Sequence, residues 1–384
     1  MPKIDQKYDF KKVESFVTEL WNKHESKIKE TTQYNPKKKI FAFLEGPPTA
    51  NAPPGLHHME MRVFKDVMGR FKYMQGFTVP RKAGWDCHGL PVEVQVEKKL
   101  SLKTKKDVLT YGVEKFNKEC RSDVFNFITA WNENTKKLAY LVDLDSPYRT
   151  LDNSYIESVW WSLKEIHKKG LLYEGHKVVP YCPRCETPLS SHEVALGYED
   201  ITENTVIVKF KQKNRSNRFI LAWTTTPWTL PSNVCLAVNP KLKYVVISER
   251  GNEYVLAKDL SQKYFPDGEM IEEFNGEKLL GIEYEPLFPY FKNKLKNAWK
   301  VVPEDYVSTE DGTGVVHQAP AFGEIDYDSC KKHGMPFIQP VKVDGTFTDE
   351  VSDFKCLFVK DADPRIIEWL DSHDLLFKTE KYTH

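Results

Sequence analysis

A chain of 384 residues can form two or three domains, and its 40% hydrophobic and 29% charged residues place it outside the disordered and fibrous classes. Lys+Arg and Asp+Glu both number 55, so the net charge offers no global attraction to nucleic acid, only room for a local basic face. There is no run of about 18 apolar residues to cross a membrane, and no signal-peptide-like stretch in Met1-Pro2-Lys3-Ile4-Asp5-Gln6. Cysteine, at an odd 7, fits a reducing cytoplasm better than a disulfide framework.

The spacing of Phe10, Val13, Phe16, Val17, Leu20 and Trp21 predicts a helix over 9–30. A polar linker precedes a predicted buried strand at 39–45. A loop follows with four prolines and two glycines, Gly46-Pro47-Pro48 to Pro53-Pro54-Gly55, ending at His57-His58. A second helix is expected from His57 to Gln75, with Met59, Val63, Val67, Phe71 and Met74 as its apolar stripe and Gly76 as its stop. Phe77–Arg81 reads as a second parallel strand, followed by the run Gly84-Trp85-Asp86-Cys87-His88-Gly89-Leu90-Pro91-Val92-Glu93.

Residues 105–140 are helical in pattern, and Asp143–Tyr148 reads as a break. Asp152 or Asn153 is placed to cap a helix with Tyr155, Ile156, Val159, Trp160, Leu163 and Ile166 on its apolar face; Lys168, Lys169 and Gly170 end it. Composition shifts near 176, where Cys182-Pro183-Arg184-Cys185 sits in a Pro-rich stretch. Beyond 199 the chain reads as a mainly β domain, with strands at Thr205–Phe210, Arg218–Trp223, Lys243–Ser248 and Gly314–His317. Pro364–Leu370 is predicted helical.

Five stretches bear chemistry. Strand, Gly-containing loop and helix N-terminus are a phosphate-binding geometry, with His57 and His58 as donors and Gly46 and Gly55 allowing close approach; the plain reading is a Pro-rich connection. Asp86, in a crowded loop after a strand, can hold a cationic amino group or belong to a tight turn beside a core Trp. Cys182 and Cys185 have zinc-knuckle spacing but supply two of four ligands; a redox pair is the rival. Trp223-Thr224-Thr225-Thr226-Pro227-Trp228-Thr229-Leu230-Pro231-Ser232-Asn233 offers hydroxyls to a pocket or is a β-branched strand end. His317 and Asp326 can flank one pocket, or His317 is structural.

Together these stretches resemble the isoleucyl-tRNA synthetases, a family of class I aminoacyl-tRNA synthetases. GPPTAN at 46–51, GWDCHGLPVE at 84–93, WTTTPWTLPSN at 223–233 and GTGVVHQAPAFGEIDY at 312–327 carry the resemblance. It implies an α/β fold: the N-terminal half of a Rossmann-type parallel sheet with helices, a zinc-ribbon segment, and a mainly β editing (CP1) domain. The implied boundaries are 1–38 for a helical extension, 39–175 for the half-sheet, 176–198 for the ribbon and 199–384 for editing. The resemblance implies a cytoplasmic, monomeric isoleucine–tRNA ligase using ATP and Mg2+, with isoleucine and tRNA(Ile) as partners and Zn2+ on Cys182 and Cys185.

It further assigns Gly46, Asn51, Gly55, His57 and His58 to ATP, with the two histidines catalytic. Pro47 and Asp86 fall to isoleucine. Thr224, Thr225, Thr226, Trp228, Asn233, His317 and Asp326 fall to a pocket that hydrolyses mischarged valine. A second site has a physical reason: one missing methylene gives only about 10–200-fold discrimination. The sequence departs from the family at Gly55-Leu56-His57-His58, where the usual signature is His-x-Gly-His; one subgroup shares this exchange. The lysine-rich loop, the later strands, the anticodon-binding helices and a second CxxC are missing, so the chain is expected to be an N-terminal portion unable to activate isoleucine alone. The alternatives are a free-standing editing hydrolase and a non-catalytic tRNA- or amino-acid-binding fragment.

Overall fold

The computed structural model describes residues 9–195 and 197–383; the N-terminal hexapeptide and His384 lie outside them. The chain forms two compact units, divided between Glu174 and Gly175.

Unit 1 opens with helices α1 (Phe10–Lys23) and α2 (Glu25–Glu30). The single helix predicted over 9–30 is interrupted at His24, and neither piece has a buried residue. Then come α3 (Leu56–Met74), β1 (Lys82–Trp85), α4 (Leu90–Leu100), α5 (Lys105–Tyr111), α6 (Val113–Lys137), β2 (Asp143–Arg149) and α7 (Asn153–Lys168). β1 and β2 pair in parallel. The segment expected as a first strand at 39–45 is not one. It joins the 78–86 segment only through parallel bridges at Ile40–Thr78 and Thr49–Asp86. Pro47 and Pro48 have no N–H to extend the ladder. The second strand falls at 82–85 rather than 77–81.

The expected break at 143–148 is β2. Its turn-like residues make an irregularity: the Asp143 carboxylate accepts from the Asp145 N–H (2.9 Å) and the Ser146 hydroxyl (2.6 Å), and the register with β1 shifts there. Helix α3 falls where the periodicity places it, but its apolar stripe faces outward. Val67 is 63% exposed and Met74 83%, while Arg62, Asp66 and Gly69 are buried. Charge pairing holds the inner face. Asp66 accepts from Arg70 and Arg81, both at 2.7 Å, and Arg62 donates to the Thr135 hydroxyl (2.5 Å).

Unit 2 begins with a hairpin of β3 (Tyr181–Cys182) and β4 (Thr187–Pro188), then α8 (Ser191–Ala195). Next are β5 (Thr202–Lys211), β6 (Arg218–Thr224), β7 (Cys235–Val238), β8 (Lys243–Glu249), β9 (Asn252–Ala257), α9 (Lys258–Tyr264) and β10 (Glu269–Asn275). A 3-10 turn at Pro227–Ser232 separates β6 from β7. The last elements are β11 (Lys300–Pro303), β12 (Val316–Gln318), α10 (Glu324–Lys332), α11 (Val359–Ser372) and β13 (Leu376–Thr383). Nine strands form one mixed sheet in the order β10-β8-β9-β6-β12-β7-β11, with β5 joining β6 to β13.

Alternation explains the core. Ile220 and Ala222 of β6 face one apolar cluster with Val206, Val246 and Val255; Phe219 and Leu221 face a second with Ile207, Val245 and Leu256. Both sheet faces are therefore covered, which is why these strands read as unbroken apolar runs. β12 is shorter than predicted because Gly314 adopts φ +73°, outside the extended region.

Candidate functional site

A cavity of about 350 Å³ opens in unit 2 where β6, the 3-10 turn, β12 and the start of α10 converge. Thr224, Thr225, Thr226, His317 and Asp326 line it, as do Thr229, Tyr306, Glu310 and Asp311. Its charged lining residues are carboxylates; no Lys or Arg is among them.

Asp326 sits in the first turn of α10 and accepts from the Ala319 N–H (2.9 Å) through Oδ2. Burial pushes its pKa up to about 6, against which that single backbone donor works. Packing is close around the carboxyl: a Cβ on Gly323 would lie 2.9 Å from the Asp326 Cγ, so a side chain there would displace it.

His317, 7% exposed, is held in one tautomer. The Cys235 carbonyl accepts from Asn233 Nδ2 (3.0 Å) and the Tyr284 hydroxyl donates to Asn233 Oδ1 (2.7 Å), which orients the amide. Nδ2 then faces His317 Nδ1 at 3.3 Å, leaving the ring proton on Nε2, 2.8 Å from the Thr229 hydroxyl. The Thr229 hydroxyl in turn donates to the Thr226 carbonyl (2.8 Å). Burial lowers the His317 pKa to about 4, so the ring is neutral near pH 7. Both ring nitrogens are occupied, and the residue orders the hydroxyl wall rather than offering a free base.

Two of the seven residues assigned by resemblance lie off the cavity. Asn233 stands behind His317. Trp228 turns away within the 3-10 turn, its backbone N–H donating to the Asp363 carboxylate (2.8 Å), and it lines a second cavity. Sequence reasoning passed over Thr229 although it stands inside the quoted stretch; Pro227 and Pro231 wind that stretch so that Thr229, not Trp228, faces inward. Tyr306 and Tyr284 had no signal, since each comes from a distant loop.

In unit 1 the Pro-rich loop and the Asp86 loop lie side by side. Asp86 N–H donates to the Pro48 carbonyl (3.0 Å), Ala50 N–H to the Asp86 carbonyl (2.8 Å), and the Thr49 hydroxyl to the Asp86 carboxylate (3.1 Å). Gly46 and Pro47 border a small hollow with Glu45, Arg62 and Trp85. Asn51 reaches back to the Pro91 carbonyl (3.4 Å).

Gly55 caps α3, and its N–H donates to His58 Nδ1 (3.0 Å), leaving the His58 proton on Nε2. Burial, then His57 and Arg62, lowers the His58 pKa, so it is a neutral donor. The exchanged signature has a steric correlate: a Cβ at Gly55 would lie 3.0 Å from the His57 ring. The imidazole of residue 57 uses space that a side chain at 55 would need.

Cys182 and Cys185 face each other at the β3–β4 turn, with Arg184 Nη1 3.4 Å from Cys185 Sγ. Among the described residues no group of three or more His, Cys, Asp or Glu side chains is placed to hold a metal ion. Two thiols are two of the four ligands that a tetrahedral zinc site requires. Among the described residues no helix is long and apolar enough to cross a membrane.

Unit 1 thus pairs two strands in parallel among its helices, and unit 2 is a large mixed sheet with an acidic, hydroxyl-lined cavity. The family described as tRNA synthetases class I (I, L, M and V) matches residues 17–363, and the chain belongs to it. It is 51% identical over 382 residues to the isoleucine–tRNA ligase of Clostridium acetobutylicum, covering 100% of this chain and 37% of that protein. To isoleucine–tRNA ligase 2 of Bacillus anthracis it is 45% identical over 385 residues, with the same coverages. To the isoleucine–tRNA ligase of Picrophilus torridus it is 48% identical over 347 residues, 90% of this chain and 34% of that one. The chain thus spans little more than a third of the length of these relatives.

Proposed function

We propose that this chain carries two parts of an isoleucine–tRNA ligase. In unit 1, the paired loops hold part of the site at which isoleucine and ATP-Mg2+ form isoleucyl-adenylate, before transfer to tRNA(Ile). Asp86 takes the amino acid's ammonium, and His57 and His58 donate to the phosphates. Catalysis there is positioning and charge stabilisation. Zn2+ would be held by Cys182 and Cys185 with two ligands from elsewhere.

Unit 2 is the hydrolytic site for valine misattached to that tRNA. The Asp326 carboxylate binds the valyl ammonium, and the threonine hydroxyls hold the ester and the attacking water. Water adds to the ester carbonyl, the tetrahedral intermediate expels the ribose oxygen, and valine and free tRNA result. Because His317 has no free lone pair toward the cavity, the rate comes from oriented hydroxyls and from fixing the ammonium. The observation that carries this reading is an open cavity whose charged lining is carboxylate alone, with one buried carboxyl poised at a pKa of about 6. The test is hydrolysis of valyl-tRNA(Ile) by the purified chain. Asp326→Ala is expected to slow it on the order of 100-fold, the scale of losing a buried charge partner. Unchanged hydrolysis would remove Asp326 from this role.

A further inference from the structure

The place of Asp326 is set by helix α10, which carries it. That helix has nine residues and buries only Ser329 and Cys330, so apolar packing does little to fix it. Its polar anchor is Glu304, the first residue past β11 and 8% exposed. The Glu304 N–H donates to the Val238 carbonyl of β7 (2.9 Å), which ties the residue to the sheet. Its carboxylate accepts from the Ser329 hydroxyl (2.9 Å), Lys332 Nζ (3.2 Å) and His333 Nε2 (2.8 Å). Ser329 stands three residues after Asp326, about one helical turn along. A buried carboxylate at a helix C-terminus is opposed by desolvation and by the macrodipole. Burial pushes the Glu304 pKa up, but Ser329, His333 and Lys332 outweigh it and hold the group below the usual carboxylate value. Two residues on, Tyr306 lines the cavity, and its hydroxyl accepts from Gln318 Nε2 (2.8 Å). Gln318 is fully buried in β12 beside His317, and its Oε1 has no partner among the described residues, so the Tyr306 hydroxyl is what satisfies this amide.

We propose that Glu304, with Tyr306 of the same loop, is a positioning residue that sets the Asp326 carboxylate in place for the substrate ammonium. The inference rests on the hydrolytic reading above and deepens it. One short loop grips both sides of the site: β12, which carries His317, through Tyr306, and α10, which carries Asp326, through Glu304. The Ala319 N–H, donating to Asp326 (2.9 Å) just past β12, closes the triangle. A charge partner works only if its support holds it to within about 0.5 Å, and a displacement of about 1 Å can cost on the order of 100-fold. Glu304 supplies that support from the far end of the helix.

The test compares the whole 384-residue chain with its Glu304→Gln and Tyr306→Phe variants on two esters. One is valyl-tRNA(Ile); the other is its 2-hydroxyisovaleryl counterpart, with a hydroxyl where valine has the ammonium. Glu304→Gln is expected to lower kcat/KM for the valyl ester about tenfold and Tyr306→Phe about threefold, the scale of a small misplacement. Both should leave the hydroxy ester within about twofold, since it has no ammonium for Asp326 to hold. A general loosening of the fold would slow both esters alike. In an Asp326→Ala background, Glu304→Gln should add no further loss on the valyl ester, because the two residues act through one group. Hydrogen exchange gives a readout independent of turnover: the Ala319 amide should exchange about tenfold faster in Glu304→Gln, with the amides of β8 unchanged. No loss on the valyl ester, equal loss on both esters, or a loss that adds to that of Asp326→Ala overturns the proposal and leaves the hydrolytic reading standing. If the unsubstituted chain does not cleave valyl-tRNA(Ile), the hydrolytic reading fails, and the Ala319 exchange alone decides whether Glu304 sets the place of Asp326.

Discussion

Strand β6 and helix α7 carry equally regular apolar patterns and meet opposite fates. In β6, Ile220 and Leu221 are fully buried, one on each face of the sheet. In α7 no residue is buried: Leu163 is 44% exposed and Trp160 70%. The stripe of α3 behaves like that of α7. Periodicity in a sequence states that a face needs a partner; it does not state that the partner lies among the same residues. Unit 2 supplies its own partners from strands distant in sequence, as when β13 pairs with β5. Unit 1 meets the needs of Trp85 and Trp131 and leaves the stripes of α1, α3 and α7 without cover.

The largest expected consequence is in local stability. Amides of β6 and β8 should exchange with solvent on the order of a thousandfold more slowly than those of α1 and α7, because the former open only with the whole unit. Hydrogen-exchange mass spectrometry on the intact chain measures this, and equal protection would end the contrast. A smaller but sharper version uses two substitutions. Ile220→Ala should cost about 2–5 kcal/mol in urea unfolding. Trp160→Ala, at an exposed site, should stay within about 0.5 kcal/mol. A large loss from Trp160→Ala would mean that α7 is packed after all.

The same contrast marks what the sequence disclosed. Strands buried on both faces and helices with strong caps were readable, since their patterns are local: α3 starts within a residue of its expected place, and β5, β6 and β8 contain the runs predicted for them. What escaped depends on pairing across the chain. Residues 39–45 look like a strand in isolation, but Pro47 and Pro48 follow at once, and the segment is left with single bridges at Ile40–Thr78 and, past the prolines, Thr49–Asp86. Asp143–Tyr148 looks like a turn because its side chains do fold back on the backbone, while the backbone still pairs with β1. In the hydrolytic cavity the threonines and Asp326 were visible as motif residues. The Asn233–His317–Thr229 relay was not, because its order depends on Tyr284, some fifty residues further along the chain.

The most discriminating effect is one of pH, because two groups of one cavity oppose each other. The folded-state pKa of Asp326 is raised from 3.8 to about 6, so its contribution to stability is full below pH 3.8 and is lost as pH rises through 6. The pKa of His317 is lowered from 6.5 to about 4, so its contribution is full above pH 6.5 and is lost as pH falls toward 4. Each shift corresponds to about 3 kcal/mol, an upper figure for groups that open water can reach on local motion. Between pH 4 and 6.5 the two terms run in opposite directions and nearly cancel. Asp326→Asn removes one of them. Unit 2 of that variant should then lose about 3 kcal/mol on acidification from pH 6.5 to 4, over and above any change in the unsubstituted chain, and should be the more stable of the two at pH 8. Urea unfolding of both chains at several pH values reads this difference. Parallel pH profiles would mean that Asp326 is as well solvated as a surface carboxylate. Such a group would not be poised to trade water for a substrate ammonium, which is what the hydrolytic role asks of it.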